Sequence, residues 1–129
     1  MRIALCTELR NADQFENRLR SPFCGDEQVA IDELWNEKQL AHAVRRGQYH
    51  AVVIALPGAR GLEAVIQARA LAPKTPVIWC SDDESFALMA YHLRVSAFLP
   101  IACSEQELYE AITPITKWRY KNADCIMQL

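Results

Sequence analysis

The run Ala51-Val52-Val53-Ile54-Ala55-Leu56, closed by Pro57-Gly58, constrains this chain more than any other feature. A continuous apolar run of this length suits a central strand of a parallel sheet, buried on both faces by helices. Four further runs read as strands: Arg2 to Cys6, Gln28 to Leu34 (apolar at Val29 and Ile31), Val77 to Cys80 and Val95 to Leu99. Segments with helical period lie between them. Asn11 to Leu19 is one, with Asn11 in the N-cap position, and turn signals Ser21-Pro22 and Gly25-Asp26 follow it. Asn36 caps a second helix that runs to Arg46, with Leu40 and Val44 on one face and Gly47 as the stop after Arg45-Arg46.

Gly61 to Leu71 is predicted helical, with Leu62, Val65 and Ile66 facing inward, and Pro73 and Pro76 bracket the turn after it. Ser85 to Leu93 carries Phe86, Met89, Ala90 and Leu93 at i, i+3, i+4 and i+7. Ser104 and Glu107 form a capping box before Leu108, Ala111, Ile112 and Ile115, and Pro114 kinks or ends this last helix. Strands alternating with helices give an α/β fold, a doubly wound five-stranded parallel sheet in a three-layer sandwich. Residues 1–115 form the domain, and 116–129 are a C-terminal tail or the start of a connection to an effector domain.

The chain has 129 residues, enough for one domain, and its net charge of −2 supplies no global field toward nucleic acid or an acidic membrane. No apolar stretch approaches the roughly 18–20 residues of a membrane span. Met1-Arg2-Ile3-Ala4-Leu5-Cys6 lacks the layout of a secretory signal. The five cysteines are odd in number and widely spaced, with no Cys-x-x-Cys pair. They point to free thiols in a reducing compartment, the cytoplasm, and not to zinc.

Several strings, taken together, resemble the response-regulator receiver family, the CheY-like (βα)5 or flavodoxin-like sandwich. Gln48-Tyr49-His50-Ala51-Val52-Val53-Ile54-Ala55 is similar to the family's third strand. Leu56-Pro57-Gly58-Ala59-Arg60-Gly61-Leu62-Glu63-Ala64 is similar to its Met-Pro-Gly-x-x-Gly loop, and Pro76-Val77-Ile78-Trp79-Cys80-Ser81 to its fourth strand. Ala87-Leu88-Met89-Ala90-Tyr91 and Ala97-Phe98-Leu99 match the fourth helix and fifth strand. The detail is most similar to receivers that precede LytTR-type DNA-binding domains.

The resemblance implies a phosphorylation pocket, and the residues at its positions depart from the pattern. Thr7 and Glu8 stand where two strand-one carboxylates are expected. The acceptor aspartate falls on Ala55, in a loop about two residues short, or on Val53 if no gap is allowed. The phosphoryl-contacting lysine falls on Ile101, before Ala102. Ser81 and the aromatic Phe98 keep the switch positions. The expected product is a pseudo-receiver with no catalytic residue, metal or cofactor, acting in signal transduction or transcription by protein contact. The resemblance places that contact, with a protein partner or a second copy, on the face of the fourth helix, fifth strand and fifth helix. Tyr91, His92, Arg94, Glu107 and Tyr109 lie near it. DNA would be reached only through a separate effector domain.

Other readings of the same residues stay open. Thr7, Glu8, Ala55, Ser81 and Ile101 could line a vacated ligand pocket at the C-terminal strand edge. Ser81 also reads as a strand end and helix cap. Asp82-Asp83-Glu84 reads as a cation site or as acids favouring a helix start. Lys117-Trp118-Arg119-Tyr120-Lys121 reads as a nucleic-acid contact or a helix end. An enzyme on this fold lacks a Gly-rich phosphate loop at Thr7-Glu8-Leu9-Arg10-Asn11.

Overall fold

The computed structural model describes residues 2–8, 12–20, 29–47 and 49–115. Strands β1 (Arg2–Thr7), β2 (Ala30–Leu34), β3 (Ala51–Ala55), β4 (Val77–Ser81) and β5 (Ala97–Pro100) form one sheet. They alternate with helices α1 (Ala12–Arg20), α2 (Glu37–Arg46), α3 (Gly58–Leu71), α4 (Ala87–His92) and α5, which spans 105–115. Every strand pair is parallel, and the order is β2-β1-β3-β4-β5. The chain runs outward from β1 to β2, then returns past β1 to β3. The switch point therefore lies between β1 and β3, where doubly wound sheets open a crevice at their C-terminal ends.

The two-residue period of the strands divides the core. Ile3, Leu5, Val53, Ile78 and Cys80 meet Phe15 and Leu19 of α1 and Leu108 and Ile112 of α5. Ala4, Cys6, Val52, Ile54 and Trp79 meet Leu40 and Val44 of α2, Val65 of α3 and Ala90 of α4. All five β3 residues are buried, as its unbroken apolar run requires. Helix starts follow from local chemistry. The Asn36 side chain accepts the Gln39 N–H at 2.9 Å. Ser104 and Glu107 exchange backbone-to-side-chain bonds of 3.2 Å each, the expected capping box. Asn11, the turn at 21–26 and Gln28 lie outside the described residues.

Five expectations need correction. α3 begins at Gly58, three residues early, because Gly58 takes a left-handed φ of 57° and turns the chain directly from β3 into the helix. Its inner face is Gly61, Ala64, Val65 and Ala68, and Ile66 is 43% exposed, because small residues let the helix sit close to the sheet. The fourth helix is split into a 3₁₀ turn, Glu84–Phe86, and a six-residue α4. The tighter turn changes the phase of the face, so Phe86 and Ala90 pack inward while Met89 is 38% exposed. β5 starts at Ala97 because the Val95 N–H is taken by the Ala90 carbonyl, at 3.2 Å, closing α4. Pro114 does not end α5, which continues to residue 115.

Candidate functional site

The C-terminal ends of β1, β3, β4 and β5 bring the predicted pocket residues to one edge of the sheet, in two groups. Thr7 closes β1 and pairs with Ala55, the last residue of β3. Thr7 is buried, and its hydroxyl donates to the Ala55 carbonyl at 3.1 Å. Val53 lies two residues back inside the strand, paired with Leu5 and Ile78 and fully buried. Ala55, not Val53, therefore occupies the strand end.

Beside this pair, Glu8 faces Arg60 of α3. The Arg60 guanidinium stands 3.6 Å from the Glu8 carboxylate and 3.6 Å from that of Glu37, the first residue of α2. One cation thus joins β1, α2 and α3 across the switch point. Cys6 lies beneath it, and burial, with Glu37 adding to the effect and Arg60 opposing it, pushes its thiol up to about 12. The fully apolar layer around Cys6 suits the neutral form.

On the other side of β3, Asp82 reaches back from the β4–α4 loop and accepts the Gly58 N–H at 2.8 Å. This donor belongs to the first turn of α3, where no intrahelical acceptor exists. The acids Asp82-Asp83-Glu84 are thereby dispersed. Asp83 accepts the Ser85 N–H at 2.9 Å and is held below the usual carboxylate range by the hydroxyl and N–H of Ser85. Among the described residues no group of three or more His, Cys, Asp or Glu side chains stands together as a metal site. Ser81 ends β4 as expected, but its hydroxyl accepts the Asp83 N–H at 3.1 Å and so shapes the loop instead of capping a helix.

Ser81 and Ile101 form the second group. The Ile101 N–H donates to the Ser81 carbonyl at 2.8 Å. Both line a cleft of about 560 Å³ with Asp82, Glu84, Phe98 and Leu99. Thr7, Glu8 and Ala55 are not among its lining residues. Phe98 packs edge-on to Trp79, with ring centroids 5.1 Å apart, and Phe86 stacks on the same indole at 5.6 Å. The cleft wall thus rests on a rigid aromatic group.

The five surface candidates separate by role. Tyr91 is 79% exposed and lies edge-on to His92, also exposed. Arg94 is exposed and takes a left-handed φ of 56°. Tyr109 is exposed on α5, whereas the Glu107 carboxylate is engaged by Ser104. Leu88, 66% exposed, joins this face without having been predicted. His50, expected to be structural, accepts the Arg2 N–H through Nδ1 at 3.0 Å, at the opposite end of the sheet.

Three features escaped the sequence reading. Arg60 and Glu8 are 52 positions apart, and nothing local in Ala59-Arg60-Gly61 signals the pairing. The Asp82–Gly58 tie was hidden inside an acidic string. Cys80 and Cys103 meet in the α1–α5 layer, where a hydrogen bond to Cys103, together with burial, holds the Cys80 thiol well above its ordinary value.

No family model matches this sequence, and no curated protein matches it. Solved structures do. A CheY-like response regulator receiver domain protein from Methanospirillum hungatei superposes with a TM-score of 0.74 at 15% identity, covering 95% of this chain and 98% of its own. The response regulator TrrA from Thermotoga maritima, in complex with Mg²⁺-BeF, gives 0.68 at 19% identity, covering 88% and 97%. The receiver domain of a sensor histidine kinase from Pseudomonas aeruginosa, with a magnesium ion in its active-site cleft, gives 0.68 at 18% identity, covering 89% and 97%. The element order, the all-parallel sheet and these superpositions agree: this chain has the CheY-like receiver α/β fold.

Proposed function

We propose that this chain is a non-catalytic receiver-like signalling module that works without aspartyl phosphorylation, by binding a protein partner or a second copy through its α4–β5–α5 face. One observation carries the reading: Arg60 holds the Glu8 carboxylate at the switch point, beside a β3 that ends in Ala55. Two of the similar structures carry Mg²⁺. Mg²⁺ demands oxygen ligands in near-octahedral geometry. Here Ala55 offers no side-chain oxygen, the Thr7 hydroxyl is committed to a carbonyl, and Glu8 already has a cation. The residues present do not fit the ion, and no step is routed through it.

The exposed Tyr91, His92, Arg94 and Tyr109, with Leu88, supply the aromatic and arginine surface that interface cores favour. Transcriptional control would then require a separate DNA-binding effector domain. A ligand sensor built from Thr7, Glu8, Ala55, Ser81 and Ile101 has less support, because Thr7 and Ala55 are buried against each other and only Ser81 and Ile101 reach the cleft. No helix among the described residues is long and apolar enough to cross a membrane.

The test is an amide NMR titration with Mg²⁺ and then beryllofluoride. Unchanged spectra at Thr7, Ala55 and Ser81 support the reading. A saturable shift of these amides at millimolar Mg²⁺ would contradict it.

A further inference from the structure

We infer that the cleft between the β4–α4 loop and β5 is the seat of this chain's own Lys117–Lys121 segment. The inference rests on the proposed α4–β5 interaction surface and names what covers it. The cleft has an apolar floor of Phe98, Leu99 and Ile101 and acids, Asp82 and Glu84, at its mouth. No Lys, Arg or His lines it. Its volume of about 560 Å³ is enough for a large aromatic side chain and its flanks. It therefore calls for an occupant with an aromatic anchor between positive charges.

Lys117-Trp118-Arg119-Tyr120-Lys121 has that chemistry: two aromatic rings alternating with three cations. It lies outside the described residues, but its attachment point does not. Ile115 lines a groove with Ser96 and Ala97, at the start of β5, and the cleft is lined by residues from Phe98 onward. β5 is an edge strand, so no further strand stands between the two. Its four residues span about 10 Å, and the three residues from Ile115 to Trp118 reach about as far when extended. The segment thus begins beside the surface that its charges and rings complement.

The experiment uses the full chain with a photo-cross-linking residue in place of Trp118 and, in a second variant, of Tyr120. Cross-linked peptides are mapped by mass spectrometry. Cross-links into 84–91 or 98–102 are expected from at least one position. Their yield should fall roughly threefold to fivefold with Glu84→Lys, the size of an exposed ion pair. It should recover when Lys117→Glu and Lys121→Glu are added. Cross-links confined to other elements, none at all, or a yield indifferent to Glu84→Lys would overturn the inference. So would protection of both positions by a bound oligonucleotide without any cleft cross-link. None of these results bears on whether Ala55 can be bypassed by a phosphoryl donor, which the beryllofluoride titration decides separately.

Discussion

The Arg60 guanidinium and the Glu8 carboxylate meet at 3.6 Å across the switch point of the sheet, and Glu37 meets the same guanidinium from α2. A fixed cation of the protein therefore neutralises two acids where related folds hold a metal ion. Replacing Arg60 should leave those acids facing each other. Arg60→Ala is expected to cost only about 0–1 kcal/mol, because the pairs are partly solvated. It should also introduce a Mn²⁺-dependent rise in Tm that the parent chain lacks. Thermal unfolding with and without millimolar Mn²⁺ measures both, and equal Mn²⁺ responses in the two proteins would count against the assignment.

Asp82 ties the β4–α4 loop to the start of α3 through the Gly58 N–H. Asp82→Ala should expose that amide and destabilise the fold by about 0.5–2 kcal/mol, the range of a lost helix cap. Asp82→Asn retains an acceptor oxygen and should recover most of the loss. Hydrogen exchange at Gly58 reads the tie directly, with faster exchange expected in the alanine variant alone.

Gly61 is required by space. A Cβ there would lie 2.4 Å from the Leu56 carbonyl oxygen and 3.1 Å from Trp79 Nε1, both parts of the rigid core. Gly61→Ala should therefore destabilise by about 1–3 kcal/mol, despite the better helix propensity of alanine. Urea unfolding checks the sign, since a gain in stability would mean that α3 can move away from the sheet.

The Cys6 thiol gives the fold an alkaline limit. Its folded-state value is raised to about 12 from an ordinary 9.0, so the neutral thiol is the form the fold favours. That contribution is fully present below pH 9 and is lost as pH rises from 9 toward 12. Cys6→Ala should flatten the alkaline fall in stability by an amount on the order of a few kcal/mol across this window. Paired urea titrations at pH 8 and pH 10.5 measure the difference, and parallel curves would contradict the claim.

The fold was legible because its signals are local and periodic. The apolar β3 run, the Asn36 cap and the Ser104–Glu107 box each lie within a few residues and act through the backbone. The pocket positions were legible as positions for the same reason: Thr7, Ala55 and Ser81 end strands, and strand ends share one edge of a parallel sheet. What filled the edge was not legible. The Arg60–Glu8 and Asp82–Gly58 contacts join residues 52 and 24 positions apart, and their formation depends on loop paths that no periodicity encodes. The inner faces of α3 and α4 were misphased for a related reason. Gly61 draws one helix close to the sheet, and a 3₁₀ turn rotates the other.

The central claim, signalling without aspartyl phosphate, is tested most directly by intact-mass measurement after incubation with acetyl phosphate and Mg²⁺. The chain should keep its unmodified mass and its oligomeric state at every donor concentration. A stoichiometric phosphoryl adduct accompanied by a change in oligomeric state would contradict the account.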